Sequence, residues 1–196
     1  MPSVCVVYHS GFGHTKVQAE HVAKGAEAVE GTEVHLLPVE GFPEPVDHKY
    51  GPEWDVLMQA DAIVFGSPTY MGSVSAALKQ FMERSSAAWY GAAWKNKIAA
   101  GFTNSASWSG DKLNSLTGMF IFAMQHQMVW VGLDLMPGYN SSQGSPEDLN
   151  RVGCFSGAMA QSNADDGPDV APPEAARKTA EHLGKRVAEA TARWTA

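Results

Sequence analysis

Cysteine and basic residues are both scarce in this chain. Two cysteines, Cys5 and Cys154, occur among 196 residues, and they form no C-x-x-C pair. Cys5 lies inside an apolar run, which favours a buried thiol over a redox role and fits a reducing cytoplasm. There are 14 Lys and Arg against 21 Asp and Glu, and the net charge of −7 argues against a nucleic-acid groove.

Long hydrophobic runs are absent as well. The N-terminal apolar run covers only residues 4–8, with no basic segment before it, and is too short for a signal peptide or membrane span. We therefore expect a cytoplasmic protein with no membrane partner. Hydrophobic residues still make up 44% and are spread along the whole length. That length suffices for one globular domain, which we assign to residues 1–196.

The apolar residues fall into near-continuous runs that alternate with helical patterns. The runs, which predict strands covered on both faces, are residues 4–8, 61–65 and 97–102, with weaker candidates at 33–39 and 128–133. The helical patterns are residues 15–29, 75–82, 112–127 and a last helix after Pro172 and Pro173. A Gly-, Ser- and Asn-rich stretch at 137–173 is predicted to be a functional or disordered loop.

Strands that alternate with helices indicate a parallel sheet with helices on both faces. With right-handed crossovers, five strands fit the α/β fold with three layers, a flavodoxin-like doubly wound parallel sheet of strand order 2-1-3-4-5. Ligands bind such sheets beyond the C-terminal strand ends, where strands one and three flank the switch point. The loops after Tyr8, Phe65 and Phe102 are therefore the candidates for a binding site.

The loop after the first strand has the composition of an anion site. Strand, Gly-rich turn and helix N-terminus together point backbone N–H groups at a phosphate. The candidate ligands are Ser10, Gly11, Phe12, Gly13, His14 and Thr15. A Walker A spacing is absent, and the dinucleotide fingerprint fails because Lys16 stands at its last glycine. The remaining alternatives are a phosphomonoester such as FMN or a turn with no ligand.

The other two loops add polar and aromatic groups at the same edge of the sheet. The candidates are Pro68, Thr69, Tyr70, Met71 and Gly72 after the third strand, and Thr103, Asn104, Ser105, Ala106, Trp108 and Ser109 after the fourth. A Pro-containing turn with an aromatic ring can flank a flat heterocycle. An ordinary strand-to-helix turn and a solvated loop are the alternatives. The agreement of all three positions favours a flavin site.

Together these segments resemble the flavodoxin-like NAD(P)H:quinone oxidoreductases of the WrbA type. The likeness covers essentially the whole chain and includes the segment from Lys79 to Trp89, residues 126–132 and residues 155–158. It differs in having Tyr70 where the family often has Arg, and in a shorter fourth-strand loop that carries Trp108.

The resemblance implies a function and a set of roles. FMN would be the cofactor, with NAD(P)H as electron donor and a quinone as acceptor in a ping-pong reaction. The residues of the three loops would bind FMN, His126 would approach it, and Trp89 with Phe12 would wall the substrate pocket. A homodimer or homotetramer is implied, because subunits complete the pocket in this family. FMN would carry the chemistry, so no catalytic side chain is expected.

Other interpretations are weaker or remain open. His9, His14, His126 and His182 show no metal-ligand spacing, so no metal is expected. Ser10 lacks the G-x-S-x-G surroundings of a nucleophile. The open alternatives for function are a flavodoxin-type electron carrier without turnover of its own, a reductase that uses FMN as a substrate, and a scaffold that has lost its cofactor.

Overall fold

The computed structural model describes residues 1–47 and 49–196. Its strands are β1 (Ser3–Tyr8), β2 (Glu33–Pro38), β3 (Ala62–Tyr70), β4 (Ser73–Val74), β5 (Ile98–Ser105), β6 (Val129–Trp130) and β7 (Ala158–Gln161). Its helices are α1 (His14–Glu27), α2 (Asp55–Gln59), α3 (Ala76–Arg84), α4 (Ser86–Tyr90), α5 (Lys112–Gln125) and α6 (Glu174–Trp194), with 3₁₀ turns at Val39–Gly41 and Pro52–Trp54.

The sheet is parallel along the path β2-β1-β3-β5-β6, with β4 antiparallel to β3. Two short strands share the edge beside β5. β6 pairs with Ile98 and Ala99, and β7 pairs with the later residues from Phe102 to Ser105. The short antiparallel β4 lies outside this parallel path, and β6 and β7 together form one interrupted edge strand. Numbered along the chain, the five parallel strands then have the order 2-1-3-4-5, so the predicted doubly wound fold is confirmed.

Two strands run further than their apolar runs indicated. β3 continues to Tyr70 and β5 to Ser105, so the observed loops begin several residues later than the predicted starts after Phe65 and Phe102. The extension is held by parallel pairing of Ser67 and Pro68 with residues 103 and 104. The apolar pattern did not reveal this extension, because the strand ends carry polar residues. Their hydroxyl groups are nonetheless buried, and they form hydrogen bonds with one another.

The turn after β3 is a tight hairpin rather than a strand-to-helix connection. Met71 and Gly72 both have positive φ, 47° and 78°, and they join Tyr70 to Ser73 across the antiparallel β3–β4 pair. Two central residues with positive φ are typical of the two-residue hairpin turn. The stretch 137–173 also holds more structure than predicted, because it contains β7.

Helices cover both faces of the sheet and enclose two apolar clusters. On one face α1 and α6 pack closely, and a side chain at Gly25 or Gly184 would collide with the backbone of the opposite helix. On the other face Trp54 stacks on Phe81, with 5.4 Å between ring centroids, beside the buried Trp94. Within the described residues, no helix has the length and apolar character needed to cross a membrane.

Candidate functional site

A cleft of about 240 Å³ lies at the C-terminal ends of the central strands. It is lined by residues from all three predicted loops and from a fourth segment that follows β7. The lining residues are Ser10, Phe12, His14, Thr15, Pro68, Thr69, Tyr70, Asn104, Ser105, Ala106, Ser162 and Ala164. The structure therefore brings together ten of the predicted residues, and it adds Ser162 and Ala164.

The loop between β1 and α1 is an open anion cradle. Gly13 precedes the helix with φ 92°, a left-handed conformation that favours glycine. Ser10 Oγ accepts a hydrogen bond from the N–H of Lys16 at 3.1 Å, which closes the turn. The backbone N–H groups of residues 12 to 15 have no acceptor among the residues that the structure describes. Free N–H groups at the start of a 14-residue helix are the arrangement that binds phosphate.

His14 ties this cradle to the segment that follows β7. Its Nε2 lies 2.7 Å from the carbonyl oxygen of Asp166. A carbonyl oxygen only accepts, so Nε2 carries the hydrogen and donates it. Pro168, in the same segment, lies against Gly13. The fourth segment is therefore attached directly to the phosphate loop, and it forms one wall of the cleft through Ser162 and Ala164.

Two aromatic side chains form an exposed rim on the cleft. Phe12 is 77% exposed and Tyr70 is 39% exposed, and their rings meet edge to face with 6.3 Å between centroids. The Tyr70 hydroxyl accepts a hydrogen bond from the backbone of Gly11, and burial raises the pKa of Tyr70. A side chain at Gly11 would collide with that hydroxyl. The rim offers apolar faces to a flat ring while its phenol stays protonated at neutral pH.

Beneath the cleft, three buried hydroxyl groups are bonded together. Thr69 Oγ1 lies 2.8 Å from Thr103 Oγ1 and 2.7 Å from Ser115 Oγ. Thr103 and Ser115 are fully buried, so Thr103 supports the cleft rather than lining it. Beside them, Asn104 Oδ1 accepts from Ser162 Oγ at 2.9 Å. These contacts fix the floor of the cleft to helix α5 and to the fourth segment.

Lys112, which the sequence analysis did not select, holds the loop after β5. The side chain is only 1% exposed, and its ammonium donates to Ser105 Oγ at 2.8 Å, Ser107 O at 2.7 Å and Trp108 O at 2.8 Å. Burial lowers the pKa of Lys112 to about 8. A lysine at the first residue of a helix opposes the helix dipole. That unfavourable placement was the one sequence signal of a structural or functional role.

Several predicted site residues lie outside the cleft lining. Met71 and Gly72 form the hairpin turn, and the Met71 side chain is fully exposed. Trp108 and Ser109 line a second, larger cavity of about 950 Å³. Trp89, in α4, lines a separate surface depression with Ser86 and Tyr90. Within this chain none of the five contacts the cleft, and their roles toward FMN or substrate remain predictions.

His126 is a core residue in this chain. Its ring packs on Trp94 and Phe122, with centroids 4.2 Å and 4.8 Å away. Ser85 Oγ donates to the Met82 carbonyl at 2.7 Å, so His126 Nε2 donates to Ser85 Oγ at 2.9 Å. Burial lowers the pKa of His126 to about 4. The structure places it among these neighbours and not in the cleft lining.

The described part of the chain contains no group of three or more His, Cys, Asp or Glu side chains that could hold a metal ion. The residues do fit the phosphate of FMN, because the cradle presents free N–H groups at the start of a helix. The cleft continues from the cradle past the aromatic rim to Asn104, Ser105 and Ala106. Fold and site together define a flavodoxin-like flavin protein.

Comparison with known proteins agrees with that class. The NADPH-dependent FMN reductase family matches residues 9–133, and the chain belongs to this family. It is 43% identical over 165 residues to the flavodoxin FldP of Pseudomonas aeruginosa, covering 84% of each chain. It is 33% identical over 144 residues to an NAD(P)H dehydrogenase (quinone) of Chromohalobacter salexigens, covering 68% of this chain and 72% of that protein.

A solved structure indicates which type of flavodoxin-like protein this chain is. The flavodoxin, WrbA-like protein from Agrobacterium tumefaciens superimposes with a TM-score of 0.71 at 36% identity, covering 98% of this chain and 99% of that one. An archaeal flavodoxin at 20% identity, with a TM-score of 0.63, shares the fold. The chain is thus a flavodoxin-like FMN protein of the WrbA type, within an oxidoreductase family, and that prediction is confirmed.

Proposed function

We propose that this protein uses FMN to pass two electrons from NAD(P)H to a quinone. The observation that carries the proposal is the pairing of an open phosphate cradle with an exposed aromatic rim. Phe12 and Tyr70 leave apolar ring faces accessible beside the cleft. A second flat molecule can approach there. When bound, FMN supplies the two-electron chemistry, and the chain supplies binding and orientation.

The chain's own groups have separable tasks in this proposal. The N–H groups of the loop from Phe12 to Thr15 hold the phosphate. Lys112 and Asn104 fix the opposite wall, through the loop after β5 and through Ser162. The ionisable side chains in the lining are His14, whose Nε2 hydrogen is engaged by Asp166, and Tyr70, whose pKa is raised. We therefore expect no single side chain to be essential for proton transfer.

The test uses the purified protein. Its absorbance in the flavin bands is recorded before and after FMN is added, and turnover is measured with NADH or NADPH and benzoquinone. Parallel lines in double-reciprocal plots are the expected result, because donor and acceptor would react in turn. Intersecting lines would contradict the alternating order. A colourless protein that does not take up added FMN would overturn the whole proposal.

A flavodoxin-type electron carrier is the second candidate, and two observations favour it. A relative named a flavodoxin is 43% identical to this chain. Trp89, the predicted substrate wall, lies outside the cleft lining of the chain. Stepwise reduction under anaerobic conditions separates the two candidates. Two well-separated one-electron potentials with negligible NAD(P)H turnover would support the carrier, and a single two-electron step with turnover would support the quinone reductase.

Two further expectations belong to the same proposal. A reductase that uses FMN as a substrate would release the flavin on dialysis and show saturation kinetics with added FMN. A chain that retains FMN through dialysis would exclude that alternative.

We also propose a homodimer or homotetramer, which light scattering coupled to gel filtration would measure. A monomer at micromolar concentration would contradict the assembly without affecting the FMN site.

A further inference from the structure

The larger cavity, of about 950 Å³, is lined in part by the loop after β5, which also lines the cleft. Its walls are the loop after β5, the first turns of α5 and the segment from Arg151 to Ser156. Ala106 lines the cleft and Trp108 lines the cavity. Ala106 and Trp108 are two positions apart in the chain, so they lie within about 7 Å of each other and belong to the same loop. A molecule lying in the cavity could reach into the cleft past Ala106.

The cavity contains a cation with unused hydrogen-bonding capacity. Arg151 is the one Lys or Arg among the lining residues. Its guanidinium carbon lies 4.7 Å from the centroid of the Trp108 ring. Its Nη atoms make only long bonds, 3.2 Å to Pro146 O and 3.3 Å to Gln161 Oε1. Its Nε is buried, so the hydrogens left for a ligand are the second hydrogen on each Nη atom.

A cation in this position selects for an anionic ligand. The whole chain carries a formal charge of −7, so a concave surface that presents a guanidinium differs from its surroundings. Guanidinium binds phosphate oxygens through paired N–H groups, and it stays charged at all physiological pH values. Asp111 also lines the cavity and offers a carboxylate acceptor, so the lining presents one charge of each sign.

The rest of the lining matches a nucleoside. Trp108 is 54% exposed and Phe155 is 53% exposed, so both present rings on which a base can stack. Asn114 uses its Nδ2 to donate to Gly72 O at 2.8 Å, which leaves Oδ1 to accept from a hydroxyl. Asp111 makes no capping hydrogen bond to α5, so its carboxylate is also available to accept from a ribose.

We propose that this cavity binds the adenosine diphosphate half of the NAD(P)H donor. Arg151 would bind the pyrophosphate, Trp108 or Phe155 would stack on the adenine, and Asp111 would accept from a ribose hydroxyl. The inference rests on the proposed use of NAD(P)H. It gives Trp108, which the sequence placed at the flavin, a role toward the donor.

Steady-state kinetics of variants of the FMN-loaded protein test the site. Arg151→Gln should raise KM for NAD(P)H about tenfold or more, because a charge-assisted phosphate contact is lost. The KM for benzoquinone, kcat at saturating donor and the Kd for FMN should not change. Trp108→Ser should also raise the donor KM, and Trp108→Phe should restore it. Arg186→Gln is the matched control, because Arg186 donates to Gly132 O and Asp134 away from the cavity.

Binding of ADP-ribose, measured by calorimetry, gives a readout that needs no turnover. The wild-type holoprotein should bind ADP-ribose, and the affinity of Arg151→Gln should be lower by a factor of about ten or more. As an inhibitor it should be competitive against NAD(P)H and uncompetitive against quinone. A donor KM unchanged in both Arg151→Gln and Trp108→Ser, or no ADP-ribose binding by the folded holoprotein, would overturn the assignment.

The outcomes separate this inference from the proposed function. A holoprotein that binds ADP-ribose through Arg151 but does not oxidise NADH or NADPH would contradict the proposed function and leave the cavity assignment standing. A holoprotein that turns over normally, with donor kinetics insensitive to Arg151 and Trp108, would contradict the cavity assignment alone.

Discussion

Gly13 and Pro168 are in such close contact that only glycine fits at position 13. A Cβ atom on Gly13 would lie 2.9 Å from both Cβ and Cγ of Pro168. Gly13 also has φ 92°, which side chains rarely adopt. The phosphate loop and the segment after β7 are therefore packed as one unit, although most of the chain separates them. Any side chain at position 13 must displace one of the two.

Gly13→Ala should weaken FMN binding and destabilise the fold. Left-handed backbone at a non-glycine residue costs about 1–3 kcal/mol, and the collision with Pro168 adds to that cost. We expect FMN affinity to fall about tenfold or more, because a shifted loop misdirects its N–H groups. Fluorescence titration of the apoprotein with FMN and urea unfolding measure the two effects.

The matched control is Gly31→Ala. Gly31 also has a positive φ, 77°, but a Cβ there would meet nothing within 4 Å. This variant should lose a similar amount of backbone stability while its FMN affinity stays at the wild-type value. Equal FMN affinities for the two variants would show that the contact between Gly13 and Pro168 does not shape the phosphate site.

Thr103→Val tests the buried hydroxyl groups beneath the cleft. The change removes one partner of Thr69 in a fully buried position. Thr69 keeps Ser115 as a partner, so we expect the free energy of unfolding to fall by about 1 kcal/mol, the usual net contribution of one hydrogen bond. Urea unfolding measures it. Thr117→Val, which removes an exposed hydroxyl bonded to its own helix, should change stability by no more than about 0.5 kcal/mol.

The sequence predicted the sheet well, because its central strands are buried on both faces. Residues of β1, β3 and β5 such as Val6, Val64 and Ala100 form uninterrupted apolar runs, and handedness then leaves few orders for the strands. β7 escaped prediction for a physical reason. It completes an edge position that β6 begins, and only four residues, Ala158–Gln161, form it. So short a run carries no detectable period.

Strand positions located the loops of the candidate site, but they did not identify every residue that lines the cleft. Loops at C-terminal strand ends could be located from strand positions alone, and most of their residues line the cleft. Ser162 could not be found, because its position depends on the route of a long segment rather than on any local motif. Lys112 could not be assigned either, since its three acceptors belong to a loop conformation that the sequence does not specify.

His126→Asn separates a core role from a flavin role. FMN affinity should not change, because His126 lies outside the cleft lining. The native pKa of about 4 lies below the usual value of about 6.5, so between those pH values the unfolded chain binds a proton that the native chain does not. Stability should therefore fall on acidification, by at most about 1.4 kcal/mol per pH unit from this group.

The variant should lack that component of the pH dependence. Urea unfolding of both proteins at pH 7.5, 6 and 5 gives the difference, in which other titrating groups cancel. Equal slopes for the two proteins would contradict the depressed pKa of His126. A reduced FMN affinity in His126→Asn, with the folded state intact, would instead revive its predicted approach to the flavin.

Lys112 should make FMN binding sensitive to alkaline pH. Its ammonium has three hydrogens for three acceptors, and the neutral amine has only two. With the pKa lowered to about 8, FMN affinity should decrease as the pH rises through about 8. The FMN phosphate, whose second pKa is about 6, is already fully charged there and does not contribute.

Stability should move in the opposite direction over the same range. Between about pH 8 and the usual lysine value of 10.5, the unfolded chain holds a proton that the native chain has released. The free energy of unfolding contributed by Lys112 therefore rises with pH in that window. Opposite trends in FMN affinity and in apoprotein stability would identify one group that titrates beneath the site.

Lys112→Met should remove both trends and leave FMN affinity low and flat from pH 7 to 10. Lys97→Met is the matched control, because Lys97 is also a partly buried lysine with a lowered pKa. It donates to the carbonyl oxygens of Met58 and Ala60, at the end of the sheet opposite the cleft. Lys97→Met should change stability but keep the wild-type FMN affinity and its alkaline decrease. If that decrease persists in Lys112→Met, another group titrates at the site, and the loop after β5 does not depend on Lys112.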